Sequence, residues 1–148
     1  MSLRDVWQSR IKAVEREHSA VRQAADHFRE TTASDPNILR GDLRHRDVVA
    51  ASNNLEGTYV IRLFAEFETG ARQYWSAIRN TEPRTVDLLD GLAARCYIPY
   101  EQLENTHAVR KYRNSLVHER DDDDIEVVPI PEARSHLCRF FSFLPIRW

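Results

Sequence analysis

The chain has 148 residues, 42% of them hydrophobic, with 21 basic and 23 acidic side chains and a formal net charge of -2. This length suits one domain with a substantial core, and the balanced charge excludes the strong positive field of a tight DNA binder. Any contact with nucleic acid must therefore come from a local patch. Cys96 and Cys138 lie far apart without metal-binding spacing, which fits a reducing compartment. We find neither a signal peptide nor an apolar run of membrane-spanning length, and we expect a cytoplasmic protein without membrane attachment.

Apolar residues recur at helical spacing along most of the chain. Helices are predicted over about residues 2–30, 47–80, 85–96, 100–119 and 131–144. Asn53, Asn54 and Gly57 weaken the second helix and predict a kink or a break there. The four consecutive aspartates at 121–124 cannot pack and are expected in a surface loop. The sequence therefore predicts an all-α protein, a single domain over residues 1–148 folded as a largely antiparallel bundle of about five helices.

The second predicted helix is apolar on nearly all sides between Tyr59 and Phe67, which is typical of a helix at the centre of a bundle or one covered by a partner. Glu66 lies on its polar edge, four residues after Arg62. Two interpretations of Glu66 remain open. It could pair with Arg62 within the helix, or it could face the fourth helix and orient the guanidinium of Arg113.

The fourth predicted helix concentrates polar side chains near its end, over Lys111–His118. Asn114 and His118 lie four residues apart and therefore share a face, with Arg113 beside them. An apolar stripe that belongs in a core is formed by Val109, Tyr112 and Leu116. The side opposite this stripe is expected to present Arg110, Arg113, Asn114, Val117 and His118 to another molecule.

The spacing Arg-x4-His is not by itself a signal. It occurs at Arg22–His27, Arg40–His45 and Arg113–His118. About one such pair is expected by chance in a chain of this composition. The third pair is distinguished by its place in mid-helix, with an asparagine directly after the arginine.

The motif Arg113-Asn114-Ser-Leu-Val-His118 resembles the signature of the HEPN superfamily, which is an arginine, a polar residue that is often asparagine, a few further residues and a histidine. The chain is also similar to prokaryotic proteins grouped as RiboL-PSP-HEPN-like. That similarity lies in Leu55–Glu68, Tyr112–Glu119 and Leu137–Leu144, and so spans most of the chain.

This resemblance implies a metal-independent endoribonuclease without a cofactor, acting as a homodimer whose two motif helices meet at the interface. His118 would transfer protons, Arg113 would bind the phosphate, and Asn114 would hold His118 or the phosphate. The products would be a 2′,3′-cyclic phosphate and a 5′-hydroxyl. Such an enzyme could be a toxin or antiphage effector with an antitoxin protein as partner. Four residues are expected to support the site: Glu66, Arg110, Lys111 and Tyr112.

Other interpretations stay open. Arg113 and His118 could be a cationic pair that stabilises the end of a helix. The chain could be a catalytically silent HEPN dimer that binds a partner protein or a nucleotide, or a helical interaction domain unrelated to HEPN. Some members of the family carry a tyrosine, modified by a partner nucleotidyltransferase, where this chain has Arg120, which places that form of control in doubt. No metal site is expected in the run Asp121–Asp124, because consecutive aspartates lack the spacing of a calcium loop.

Overall fold

A computed structural model describes residues 1–118 and 124–148. Within these ranges the chain forms α1 (Leu3–Ser34), α2 (His45–Ile78), α3 (Thr85–Cys96), α4 (Tyr100–His118) and α5 (Ile130–Ser142), with a short 3-10 turn at Pro36–Ile38. The prediction of an all-α helical bundle is confirmed. Most of the aspartate run, with Glu119 and Arg120, lies outside the described residues, and Asp124 is exposed.

Local hydrogen bonds decide where α1 begins and ends. The Ser2 hydroxyl accepts a hydrogen bond from the amide of Asp5 at 3.1 Å, and the Asp5 carboxylate accepts one from the amide of Ser2 at 3.2 Å, which forms a capping box. The helix continues four residues past the predicted end, to Ser34, and the amide of Asp35 donates to the carbonyl of Thr31 at 2.9 Å to close its last turn.

The two long helices, α1 and α2, run antiparallel. Near one end the indole of Trp7 donates to Gln73 at 2.6 Å, and near the other the guanidinium of Arg29 donates to Asn53 at 3.4 Å. The α2 helix is continuous through Asn53, so the break that the sequence suggested there is absent. Gly57 lies so close to Leu116 of α4 that an added Cβ would be 3.2 Å from the leucine Cδ2. Close packing between helices therefore outweighs the low helix propensity of this segment.

The core is centred on α2. The ring of Phe67 lies 5.4 Å from that of Phe140 and 5.1 Å from that of Phe141, measured between centroids, and all three side chains are fully buried. Gly70 permits this packing, since an added Cβ would be only 2.7 Å from the ring of Trp7. Each such buried side chain contributes about 1.5–3 kcal/mol of hydrophobic stabilisation. Of the two alternatives for the second helix, a central position or cover by a partner, the structure shows the central position.

None of the helices in the described part of the chain is long and apolar enough to cross a bilayer.

Candidate functional site

Buried polar contacts, one of them with α5, hold the first half of α4. The side-chain amide of Gln102 donates to the carbonyl of His136 in α5 at 2.9 Å, and the hydroxyl of Thr106 donates back to the Gln102 carbonyl at 3.0 Å. Val109, one turn further on, is completely buried. These contacts set the rotation of α4 about its own axis and therefore the direction of every side chain later in the helix.

That rotation places Arg113 differently from the prediction. Residues 102, 106, 109, 113 and 116 are spaced by four, three, four and three, so they form one stripe along α4. Gln102, Thr106 and Val109 of this stripe are buried, and Leu116 packs against the core. Arg113 therefore lies on the core-facing side of α4, and its predicted place on the opposite face is wrong. The predicted packing of Tyr112 and Leu116 against the core is confirmed.

The Arg113 side chain is half-buried between α2 and its own helix. Its guanidinium carbon lies 5.8 Å from the centre of the Phe64 ring in α2, and its Nη1 donates to the Asn114 side-chain oxygen at 3.0 Å. Its Nε is buried and has no hydrogen-bond partner among residues 1–118 and 124–148. A buried N–H group without a partner is uncommon in a folded protein. The guanidinium thus keeps an unused donor.

The acidic residue of α2 whose charge acts on Arg113 is Glu68 rather than Glu66. Burial by itself would raise the pKa of Glu68, but hydrogen bonds from Thr85 and Arg72 and the charges of Arg72 and Arg113 outweigh it, so the pKa lies below its usual value. The Glu68 carboxylate accepts from the Thr85 hydroxyl and from the Arg72 guanidinium, each at 2.7 Å. Glu68 lies one turn after Phe64 on the same face of α2, which was the available sequence signal.

Neither interpretation of Glu66 holds. Its carboxylate lies 3.7 Å from the guanidinium of Arg10 in α1. Arg62 also pairs with α1, at 2.6 Å from Glu17. The polar edge of α2 therefore faces α1, and the expected contact of Glu66 with Arg113 is not made.

Asn114 and His118 share a face of α4, as the sequence indicated. Asn114 is half-buried and bound to Arg113, whereas His118 is exposed at the last position of the helix and makes no hydrogen bond with the described residues. Arg113 and His118 lie about 140° apart around the axis and about 7.5 Å apart along it, from ideal helix geometry. One copy of the chain therefore does not direct the guanidinium and the imidazole to the same side.

The remaining expected site residues lie around this stretch. Tyr112 is half-buried, and burial raises the pKa of its hydroxyl. Lys111 is exposed and lines a shallow cleft with Glu104 and Asp124. Arg110 is half-buried, and burial lowers the pKa of its guanidinium, although the nearby charge of Asp90 opposes this.

A buried histidine connects Arg110 to α3. The Nε2 atom of His107 lies 2.8 Å from the Asp90 carboxylate, and the Nε of Arg110 donates to His107 Nδ1 at 3.1 Å. His107 is 7% exposed. By helical spacing His107 lies on the same face of α4 as Asn114 and His118. Asp90 could not be found this way, because it belongs to another helix and has no periodic relation to α4.

Elsewhere, no group of three or more His, Cys, Asp or Glu side chains in the described ranges is arranged to hold a metal ion. His18 of α1 lies beside the ring of Tyr59, with 5.3 Å between centroids. Its Nε2 is buried without a hydrogen-bond partner in the same part of the chain, and burial lowers its pKa.

Comparison of the chain with protein-family models, with curated proteins and with solved structures found no match. The HEPN resemblance therefore stands on the residues of the chain itself, and it stays a prediction.

Proposed function

We propose that the protein is a metal-independent endoribonuclease of HEPN type that acts as a homodimer. The supporting observation is the arrangement at the end of α4. Arg113 is held by Asn114 at 3.0 Å in a half-buried position, and an exposed histidine, His118, follows on the same helix. Guanidinium groups bind phosphate through paired donors, and histidine exchanges protons near neutral pH.

A second copy completes the site in this proposal. Arg113 and His118 of one chain point to different sides of α4, so an RNA strand cannot meet both groups on a single helix face. Two α4 helices related by a twofold axis would bring the His118 of one copy towards the Arg113 of the other. The cleft between them would then contain two arginines and two histidines.

The two histidines divide the proton transfers. One imidazole takes the proton of the ribose 2′-hydroxyl as its oxygen attacks the neighbouring phosphorus. The other imidazole donates a proton to the departing 5′-oxygen. Arg113 stabilises the negative charge that accumulates on the phosphate oxygens. The strand is left with a 2′,3′-cyclic phosphate on one fragment and a 5′-hydroxyl on the other.

The proposal is tested by incubating purified protein with mixed RNA in excess EDTA and determining the chemistry of the ends. Wild type should give cyclic-phosphate ends, and His118→Ala should lower the rate about 10²- to 10⁴-fold. The matched control is His27→Ala, which removes an exposed histidine that also follows an arginine by five positions on one helix. Equal cleavage by wild type and His118→Ala would contradict the proposal, as would a monomer in light scattering.

In the cell, such an enzyme would act as a toxin or antiphage effector in the cytoplasm, with an antitoxin protein as its partner. Expression of wild type should then slow growth, and Arg113→Ala should not. Equal growth of cells expressing the two proteins would contradict the toxin role without contradicting the enzyme.

One observation favours a second candidate, a catalytically silent HEPN dimer that binds a partner protein or a nucleotide. Arg113 is half-buried and lies in the field of Glu68, so part of its charge is already compensated within the fold. For such a module, Arg113→Ala should lower the free energy of unfolding, and wild type should not cleave RNA. Metal-free cleavage by wild type that is lost in His118→Ala would exclude it.

A further inference from the structure

Three side chains on α3 and α4 form a continuous hydrogen-bonded chain. Asp90 accepts from His107 at 2.8 Å, and His107 accepts from the Nε of Arg110 at 3.1 Å. This order requires the proton of the imidazole to be on Nε2, because Nδ1 acts as the acceptor. His107 is almost completely buried, whereas the Asp90 side chain is 54% exposed. The chain therefore runs from a surface carboxylate through a buried ring to a half-buried guanidinium.

Arg110 uses only one of its donors in this chain. Its two terminal amino groups make no hydrogen bond or ion pair with the described residues. An arginine bound through Nε keeps the end-on pair of amino groups, which matches two oxygens of a phosphate. Arg110 also lies one turn before both Arg113 and Asn114, at the spacing that makes side chains neighbours on a helix.

We propose that Asp90 and His107 are positioning residues that hold Arg110 to bind a backbone phosphate of single-stranded RNA next to the phosphate bound by Arg113. This inference rests on the proposed function, because it adds a second phosphate contact to the same substrate. Asp90 acts on the RNA only through His107 and Arg110.

The sign of the Asp90 effect separates this role from simple electrostatics. Asp90 is an exposed carboxylate near an RNA-binding face, so its charge alone repels RNA, and its removal should then strengthen binding. Loss of positioning has the opposite effect, since Arg110 would no longer be held in one orientation. A weaker complex after removal of an acidic residue is therefore a signature of positioning.

The experiment measures binding of a labelled 2′-O-methyl RNA oligonucleotide by fluorescence anisotropy in EDTA at several salt concentrations. This probe lacks the 2′-hydroxyl that would be the nucleophile, so binding is observed without cleavage. Asp90→Ala should weaken binding about three- to tenfold, whereas Asp90→Asn, which retains an acceptor for His107, should bind at least as tightly as wild type. Arg110→Ala should weaken binding and reduce the slope of log K against log salt by about 0.7.

A double variant provides the decisive control. In the Arg110→Ala background, Asp90→Ala should have no further weakening effect, since the residue through which it acts is gone. Tighter or unchanged binding by Asp90→Ala would overturn the inference, and so would weakening that persists without Arg110. If Asp90→Ala does not fold, an unchanged salt slope in Arg110→Ala overturns it, and a slope reduced as expected supports it.

The same preparations distinguish this inference from the proposed function. The matching unmodified RNA is incubated with wild type in parallel. Binding that depends on Asp90 and Arg110 without any cleavage would support the phosphate contact and contradict the nuclease. Cleavage by wild type, with RNA binding that does not depend on Asp90 and Arg110, would support the nuclease and contradict the phosphate contact. If wild type binds no RNA, both are overturned.

Discussion

The two halves of α4 use their polar side chains in different ways. In the first half, Gln102 and Thr106 are buried and hydrogen-bonded, and His107 has partners at both ring nitrogens. In the second half, the buried Nε of Arg113 and the exposed ring of His118 make no hydrogen bond with residues 1–118 or 124–148. The first half therefore holds the helix in the bundle, whereas Arg113 and His118 in the second half keep side-chain groups without a hydrogen-bond partner among the described residues.

This difference has an energetic meaning. A buried donor without a partner costs about 1–3 kcal/mol. Core packing does not explain an arginine at position 113, because an apolar side chain could fill the same space beside Phe64 without leaving a buried donor unpaired. The contrast within one helix thus points to the second half as the functional one.

The largest effect on cleavage is expected from substitution of Arg113, in the second half of α4. Arg113→Ala should lower the rate of RNA cleavage about 10²- to 10³-fold, because the developing charge on the phosphate loses its stabilising group. Arg113→Lys should recover part of the rate, since it keeps the charge and loses the paired donors. The measurement is kcat on a defined RNA under saturating conditions. Arg22→Ala, in the other Arg-x4-His pair within one helix, is the matched control and should leave kcat unchanged.

An intermediate effect on stability is expected in the first half. Gln102→Leu should lower the free energy of unfolding by about 1–3 kcal/mol, because the carbonyl of His136 and the hydroxyl of Thr106 lose a buried partner. Cleavage by the folded variant should change little, because Val109 and Leu116 still hold the rotation of α4. Urea denaturation at neutral pH measures the effect, with Lys111→Ala as an exposed control on the same helix. A stable Gln102→Leu protein with impaired cleavage would reverse the assignment of the two halves.

The smallest effect concerns the acid side of the stability profile. The pKa of Glu68 is lower in the folded protein than its ordinary value of 4.5. Its stabilising contribution is therefore complete above pH 4.5 and is lost as the pH falls through the lower, folded pKa. Glu68→Gln should be less stable than wild type at pH 7, because it loses the charge whose interactions lower the pKa of Glu68 in the folded protein. The difference in free energy of unfolding between wild type and Glu68→Gln should become smaller below pH 4.5, and urea denaturation at several pH values measures it. A gap that does not change with pH would show that the Glu68 charge is not what stabilises this region.

The sequence predicts the fold better than the orientation of the site. Periodicity and turn residues place the third helix at Thr85–Cys96, as observed, because Asp87 favours its first turn and Pro99 limits its end. The shared face of Asn114 and His118 also follows from spacing within one helix. The rotation of α4 does not, since Gln102 and Thr106 are polar in the sequence and yet buried in the fold. Arg113 was therefore assigned to the wrong side.

The sequence also did not predict which side chains pair between different helices. Spacing suggests Arg62 or Arg113 as the partner of Glu66, but its observed partner, Arg10, belongs to α1. Asp90 and His107 likewise meet only because α3 packs beside α4. Such pairs depend on how helices turn toward each other, which no spacing within a single helix contains. The proximity of Glu68 to Arg113 had a sequence signal, because Glu68 lies one turn after Phe64 on the same face of α2.

The central claim is that two copies of α4 form one site with a histidine from each copy. Its most direct test is the cleavage rate of mixed dimers, formed by subunit exchange between wild type and His118→Ala at constant total protein. If both histidines are required, an equal mixture should retain about a quarter of the wild-type rate, because only dimers of two wild-type chains are active. A rate of about half, in linear proportion to the wild-type chain, would show that each copy acts alone and would contradict the account.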